Sequence, residues 1–216
     1  MSVTIVSIAW SPTKHRIEVC RESMRSLVEH TLMPFTWVVV DNGPIEQTEM
    51  LRELINPEYL LTQKENIGIP QARNLGAETG PKTDYIVFCD TDMEFTDGWL
   101  EDALAYLESH NLPLIVTCHA ASHMMERSRS IGRLDGWTLW TRSAGGAIVM
   151  PRPAYDKVGP WPATWRMGYD FSTQVFHAGY RFVLAEPPSV LHADRKRSYS
   201  GEELKKTGRY VKRKAK

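Results

Sequence analysis

Tyr85-Ile-Val-Phe-Cys-Asp-Thr-Asp-Met-Glu94 is the stretch on which the fold turns. Four apolar residues, Ile86 to Cys89, run directly into Asp90-Thr91-Asp92. A short apolar run bounded by polar residues reads as a strand buried on both faces, as in the sheets of α/β proteins. Ligands of open α/β sheets bind outside the carboxyl ends of the strands, where Asp90 and Asp92 fall. Two residues apart on extended backbone, their side chains project to one side. Paired hard oxygen donors suit Mg²⁺ or Mn²⁺, ions that take their remaining ligands from substrate phosphates and water. The plainer alternative is a solvated turn, in which Asp is common.

Outward from this stretch, strand and helix signals alternate. Val3 to Ala9 reads as a first strand, broken by Trp10-Ser-Pro-Thr13. A helix follows over 15–31, with Ile17, Cys20, Met24, Leu27 and Val28 on one face. Phe35 to Val40 is a second strand ending at the turn Asp41-Asn42-Gly43-Pro44. A short helix over 47–55, a strand over 59–62 and a helix from Pro70 to Gly80 precede the central stretch. After it, Asp97 is placed to cap a helix over 98–109, and Leu112 to Cys118 forms another strand. This alternation through residue 120 predicts a mostly parallel central sheet with helices on both faces. Asp41 and Asp90 then share one sheet edge.

The second half is less regular. Ser122 to Arg142, with its arginines and with Trp137 and Trp140, reads as an exposed loop. Strands are expected over 144–150, 181–185 and 189–191, and helices over 153–158 and 169–177, the last closed by Gly179. Trp137 and Trp140 read as loop packing or as a surface on which an acceptor stacks. Lys205 to Lys216 holds seven basic residues and no acid.

Composition narrows the class. With 42% hydrophobic and 24% charged residues and zero net charge over 216 residues, the chain reads as one soluble globular domain. Three scattered cysteines, Cys20, Cys89 and Cys118, exclude a disulfide framework and point to a reducing, cytoplasmic setting. No signal peptide or window long enough to span a bilayer is present. Neither G-x-G-x-x-G nor G-x-x-x-x-G-K-[ST] occurs, which disfavours dinucleotide and P-loop sites. His119 and His123, beside Cys118, lack the helical zinc-protease pattern.

Asn66-Ile-Gly-Ile-Pro-Gln-Ala-Arg-Asn-Leu-Gly76 adds a more specific signal. It resembles the N-x-G-x-x-x-A-R-N-x-G segment of family 2-type glycosyltransferases with the GT-A fold. It lies, as in that family, between a strand ending in Asp41-Asn42-Gly43 and one ending in D-x-D. Gly145-Gly-Ala-Ile-Val-Met150, Tyr155 to Trp161, Gly179-Tyr180 and His192 match later features, so the resemblance covers residues 3–195. It implies a Rossmann-like GT-A domain over 1–195, with a nucleotide-sugar half (1–120), a smaller acceptor-side half (121–195) and a basic tail (196–216).

The resemblance also implies an activity: a sugar moves from a nucleoside-diphosphate donor to an acceptor hydroxyl, with Mn²⁺ or Mg²⁺ as cofactor. Asp92, Asp90 and His192 would be the metal site. Ala9, Trp10, Asp41, Asn66, Gly68, Arg73, Asp90, Thr91 and Gly146 would bind substrate, with Asp41 on the base or ribose and Arg73 beside the phosphates or bracing the D-x-D turn. Asp170 would be the catalytic base, although it aligns with either of two family acids. The acidic motif is reduced here to Gly168-Tyr-Asp-Phe171, and the D-D-G-S turn has become Asp41-Asn42-Gly43-Pro44. The acceptor is a saccharide, a lipid-linked group or a hydroxymethylated DNA base. The tail reads as solvated, as a phosphate-binding contact to nucleic acid, or as a peripheral contact to anionic membrane. Two other readings stand beside this one. One is a nucleotidyltransferase, against which Ala9 to His15 lacks a glycine-rich loop. The other is a non-catalytic nucleic-acid-binding protein on a transferase-like fold.

Overall fold

The computed structural model describes residues 1–54, 59–119, 130–143, 145–164, 166–185 and 188–193. The expectations for His123, for the first part of the loop (122–129) and for the tail 196–216 lie outside these residues.

The chain runs β1 (Val3–Ala9), α1 (Lys14–His30), β2 (Thr36–Asp41), α2 (Ile45–Leu54), β3 (Leu60–Thr62), α3 (Ile69–Thr79), β4 (Tyr85–Asp90), β5 (Met93–Phe95), α4 (Trp99–Ser109) and β6 (Leu114–Thr117). There follow β7 (Ser130–Leu134), β8 (Trp137–Trp140), β9 (Ala147–Pro151), α5 (Arg152–Val158), α6 (Met167–His177), β10 (Arg181–Leu184) and β11 (Val190–His192). Nine strands form one sheet in the order β3-β2-β1-β4-β9-β6-β10-β8-β7, and β11 pairs with β5 in a separate ribbon. In the large sheet only β8 and β9 run against the other strands. The predicted mostly parallel α/β sheet is therefore present.

β4 sits inside the sheet, and Ile86, Val87, Phe88 and Cys89 are fully buried. Ile86 and Phe88 pack on one face with Val6, Ile148, Trp161 and Phe171. Val87 and Cys89 pack on the other with Ile5, Trp99, Leu100 and Leu104. Burial pushes the thiol pKa of Cys20 up to about 11 and that of Cys118 up to about 12, so the cysteines act as small apolar groups.

Helix α3 lies against β1 and β2 so closely that a Cβ on Gly76 would sit 2.4 Å from Val6 Cγ1. In an open helix Gly→Ala gains up to about 1 kcal/mol. Here the clash is expected to reverse the sign, so that Gly76→Ala costs about 1–3 kcal/mol in urea denaturation.

Two expectations are corrected. The exposed loop over 122–142 is, from Ser130, a hairpin of β7 and β8. Asp135 (φ 43°) and Gly136 (φ 85°) form its two-residue turn, an Asp-Gly hairpin signal. Trp137 stacks on Tyr106 at 4.2 Å, and Trp140 packs on the Phe88 cluster, so both tryptophans serve packing. Asp97 does not cap α4: the cap residue is Gly98 (φ 72°), and the Asp97 carboxylate pairs with His30 Nδ1 at 2.5 Å. Both parts of the chain contribute to one sheet, in which β9 inserts between β4 and β6.

Candidate active site

The insertion of β9 builds the site. Its pairing with β4 brings Gly146 beside the end of that strand, where the Gly146 carbonyl accepts the Asp90 N–H at 2.8 Å. A side chain on Gly146 would strike Met93 and His119, so the approach requires glycine. Thr91 is buried and donates its hydroxyl to the Ile8 carbonyl at 3.1 Å, which ties the turn to β1. Asp90 and Asp92 therefore leave the sheet on a turn fixed from two sides.

Arg73 comes from α3. Gly68 (φ 85°) starts that helix, with its N–H bonded to the Asn66 side chain at 2.8 Å. Arg73 is buried, and its Nη2 donates to Asp90 Oδ1 at 2.6 Å and to the Gly145 carbonyl at 2.9 Å. Its guanidinium lies 4.1 Å from the centre of the Trp161 ring. Asn74 bonds both the N–H and the carbonyl of Trp161, at 2.8 and 3.0 Å. The Ala-Arg-Asn triplet thus seats α3, braces Asp90 and fastens the segment around Trp161 to α3.

Asp92 is held from two other elements. Arg16 Nη2, in the first turn of α1, is 3.1 Å from Asp92 Oδ2, and His192 Nε2 of β11 is 3.4 Å from the same oxygen. Pairing of β11 with β5 sets His192 opposite Met93 and so next to Asp92. Burial, the largest single effect, pushes the Asp92 pKa up. The His192 hydrogen bond and charge, with the Arg16 charge, outweigh it and hold the carboxyl below the ordinary Asp value.

Two clefts share Asp90. The larger is lined by Ile8, Trp10, Arg16, Ile69, Thr91 and Asp92. The smaller reaches from Arg73 and Gly145 to Trp161 and to Met167, Gly168, Phe171 and Ser172 at the start of α6.

The remaining expected site residues fall differently. Ala9 is buried, and its carbonyl accepts the Asn42 N–H at 2.9 Å. Asp41 is fully buried and lines neither cleft. Its Oδ1 accepts from the Gln47 amide and from Gly43 N–H at 3.0 Å, and its Oδ2 accepts from the Thr48 hydroxyl at 2.5 Å. That geometry is an Asx turn reinforced from α2. Asp170 accepts from the Thr164 hydroxyl at 2.5 Å and pairs with Arg166 at 3.1 Å, between the cleft-lining residues Gly168 and Phe171. Arg16 was not anticipated. Its one sequence signal is its place as the third basic residue in a helical turn without acids.

Among the described residues no group of three His, Cys, Asp or Glu side chains forms a metal cage. His119 is buried and pairs its backbone with Val190, its ring 6.1 Å from that of His192. Asp92, which lines the larger cleft, and His192 beside it nevertheless offer one carboxylate oxygen and one imidazole nitrogen. Such a donor pair fits Mn²⁺ or Mg²⁺ held jointly with phosphates and water.

An α/β sheet of this order, with its carboxylates at the strand ends, has the GT-A fold. The chain belongs to glycosyltransferase family 2, whose family model (Glycosyl transferase family 2) matches residues 11–167. It is similar to a putative inactive polypeptide N-acetylgalactosaminyltransferase 12 of Drosophila melanogaster, at 30% identity over 107 residues. That match covers 48% of this chain and 18% of the relative. Among solved structures it resembles the mannosyltransferase PcManGT of Pyrobaculum calidifontis in complex with GDP-Man and Mn²⁺. The TM-score there is 0.70 at 16% identity, over 91% of this chain and 58% of that one. GalNAc-T7 with UDP, GalNAc and Mn²⁺ matches with a TM-score of 0.67 at 12% identity, over 93% of this chain and 44% of that one. The S. aureus TarS fragment 1–349 in complex with UDP-GlcNAc matches with a TM-score of 0.66 at 14% identity, over 95% and 61%. The chain thus spans about half the length of these structural relatives and less than a fifth of the Drosophila protein. Among the described residues, no helix is long and apolar enough to cross a membrane.

Proposed function

We propose that this chain transfers a hexose or pentose from a nucleoside-diphosphate sugar to an acceptor hydroxyl with the help of Mn²⁺ or Mg²⁺. The observation that carries the reading is the D-x-D turn itself: Asp90 is braced by Arg73 where two clefts meet, and Asp92, which lines the larger one, faces His192. The larger cleft takes the nucleotide, with Trp10 and Ile69 on its walls. The smaller cleft takes the sugar and the approaching acceptor between Arg73, Gly145 and the start of α6. Asp41 acts indirectly, by holding the Asp41-to-Pro44 turn. Asp92, His192 and the outward edge of Asp90 would hold the ion, which as a Lewis acid stabilises the charge gathering on the departing diphosphate.

In this reading Asp170 takes the proton of the acceptor hydroxyl. Asp170→Asn is expected to lower transfer by about 10²–10⁴-fold while leaving donor binding intact, as removal of a general base does. The check is paired kinetics of sugar transfer and donor-binding calorimetry. Equal losses in both would remove the base assignment.

The family relation and the intact D-x-D turn weigh against the nucleotidyltransferase and non-catalytic readings. The basic tail is assigned to the acceptor side, on an anionic acceptor or surface. The deciding experiment is thermal melting with UDP-, GDP-, ADP- and CDP-sugars, with and without Mn²⁺. A ligand that binds only the native state raises the melting temperature by mass action. A metal-dependent rise with one nucleotide supports the transferase and names its donor. No rise with any of them defeats the reading and brings forward the nucleic-acid alternative, tested next with duplex and single-stranded DNA.

A further inference from the structure

Lys14, His15 and Arg16 fill the first turn of α1, and no acidic residue shares it. A helix N-terminus already carries partial positive charge, so three basic residues there oppose the macrodipole. Lys14 and His15 are exposed, but Arg16 is buried. Thr13 caps the helix by accepting the Arg16 N–H at 3.3 Å, and this fixes the residue against the D-x-D turn. The guanidinium lines the larger cleft and contacts Asp92 Oδ2, the oxygen that also faces His192.

We propose that Arg16 competes with a divalent cation for the Asp92 carboxylate, and that the donor's diphosphate relieves this competition by taking the guanidinium itself. The inference rests on the transferase reading and adds to it a residue that couples metal to nucleotide. A divalent ion on Asp92 places its charge beside a guanidinium that never loses its own. In a site this buried, little water screens the repulsion. A diphosphate offers anionic oxygens to both cations, and two of them match the guanidinium fork. Metal and nucleotide therefore favour each other's binding. The coupling has the same size whichever binds first, and Arg16 is its source.

The test uses the full chain as wild type, Arg16→Met and Arg16→Lys. Binding of Mn²⁺ alone is read by the electron paramagnetic resonance of free Mn²⁺. Binding of UDP, GDP, ADP and CDP, with and without Mn²⁺, is read by calorimetry. Arg16→Met is expected to bind Mn²⁺ alone about tenfold tighter and metal-free nucleotide about tenfold weaker, with a correspondingly smaller coupling factor. Arg16→Lys keeps the charge but loses the fork, so Mn²⁺ affinity stays near wild type while nucleotide affinity falls. Tighter metal binding is a gain that structural damage would not produce.

Unchanged or weaker Mn²⁺ binding in folded Arg16→Met overturns the proposal. If Arg16→Met does not fold, Arg16→Lys decides: nucleotide affinity equal to wild type overturns it, and selective loss of nucleotide affinity supports it. Wild type that binds none of UDP, GDP, ADP and CDP in the presence of Mn²⁺ defeats the transferase reading instead, and the Mn²⁺-alone comparison still judges Arg16.

Discussion

Arg73→Lys is expected to lower donor turnover by about a hundredfold, the scale on which a small misplacement at a reacting centre acts. Arg73 meets three partners at once: Asp90 Oδ1, the Gly145 carbonyl and the face of Trp161. A planar guanidinium can bond in its plane and stack through its face together. A lysine ammonium is a point charge and cannot. The substitution should keep the charge and the fold but free Asp90 to rotate, and Asp90 belongs to both clefts. Arg73→Met goes further and leaves the Gly145 carbonyl and one Asp90 oxygen without their donor. Losing one partner of a fully buried ion pair costs about 3–5 kcal/mol. Asp90 is 36% exposed and can rehydrate, so a smaller loss of about 2–3 kcal/mol is expected here. Donor-hydrolysis kinetics and urea denaturation on the two variants separate these effects. A Lys variant as active as wild type would remove Arg73 from the site and leave it a structural brace.

The contrast between Arg73 and Arg16 shows how far a sequence can be read. Arg73 was legible because it lies in an ordered motif beside a recognisable strand. Its partner Asp90 is only 17 residues away, and the helix and strand that carry them are consecutive in the parallel sheet. Arg16 reaches Asp92 across 76 residues, and that contact exists only because α1 packs over β5. Neither β5 nor β11 is long enough, at three residues, to show a period, yet their pairing delivers His192. The family pattern supplied His192 where periodicity could not.

Asp41 shows a second, structural use of a strand-end carboxylate. Its position suggests a ligand contact, and Gln47 and Thr48, which no local pattern marks as its partners, each bond one of its oxygens. The hairpin of β7 and β8 is hidden in the sequence because β7 is mostly exposed and carries an arginine and a glycine, leaving Asp135-Gly136 as its signal.

Asp92→Asn should have the largest functional effect, with metal-dependent donor binding abolished and donor turnover reduced about 10³-fold or more, as when a preorganised charge-stabilising group is lost. The amide keeps the shape of the carboxylate but removes the charge that balances Arg16, His192 and an incoming cation. Stability should fall as well, because the buried Arg16 side chain then faces a neutral partner. The acid limb carries a separate signature. The Asp92 carboxyl titrates below the ordinary value in the folded protein, so the folded chain binds that proton less readily than the unfolded chain. The ionised carboxylate therefore stabilises the fold fully above the unfolded pKa of about 4, and this contribution is lost as pH falls through the lower folded value. Melting temperature measured against pH should consequently fall less steeply in acid for Asp92→Asn than for wild type, while lying below it near neutrality. Parallel acid limbs would show that Asp92 carries no net favourable interaction in the fold. Loss of the metal-dependent melting shift with the acid limb unchanged would assign the residue to the cation alone and separate its functional charge from its structural one.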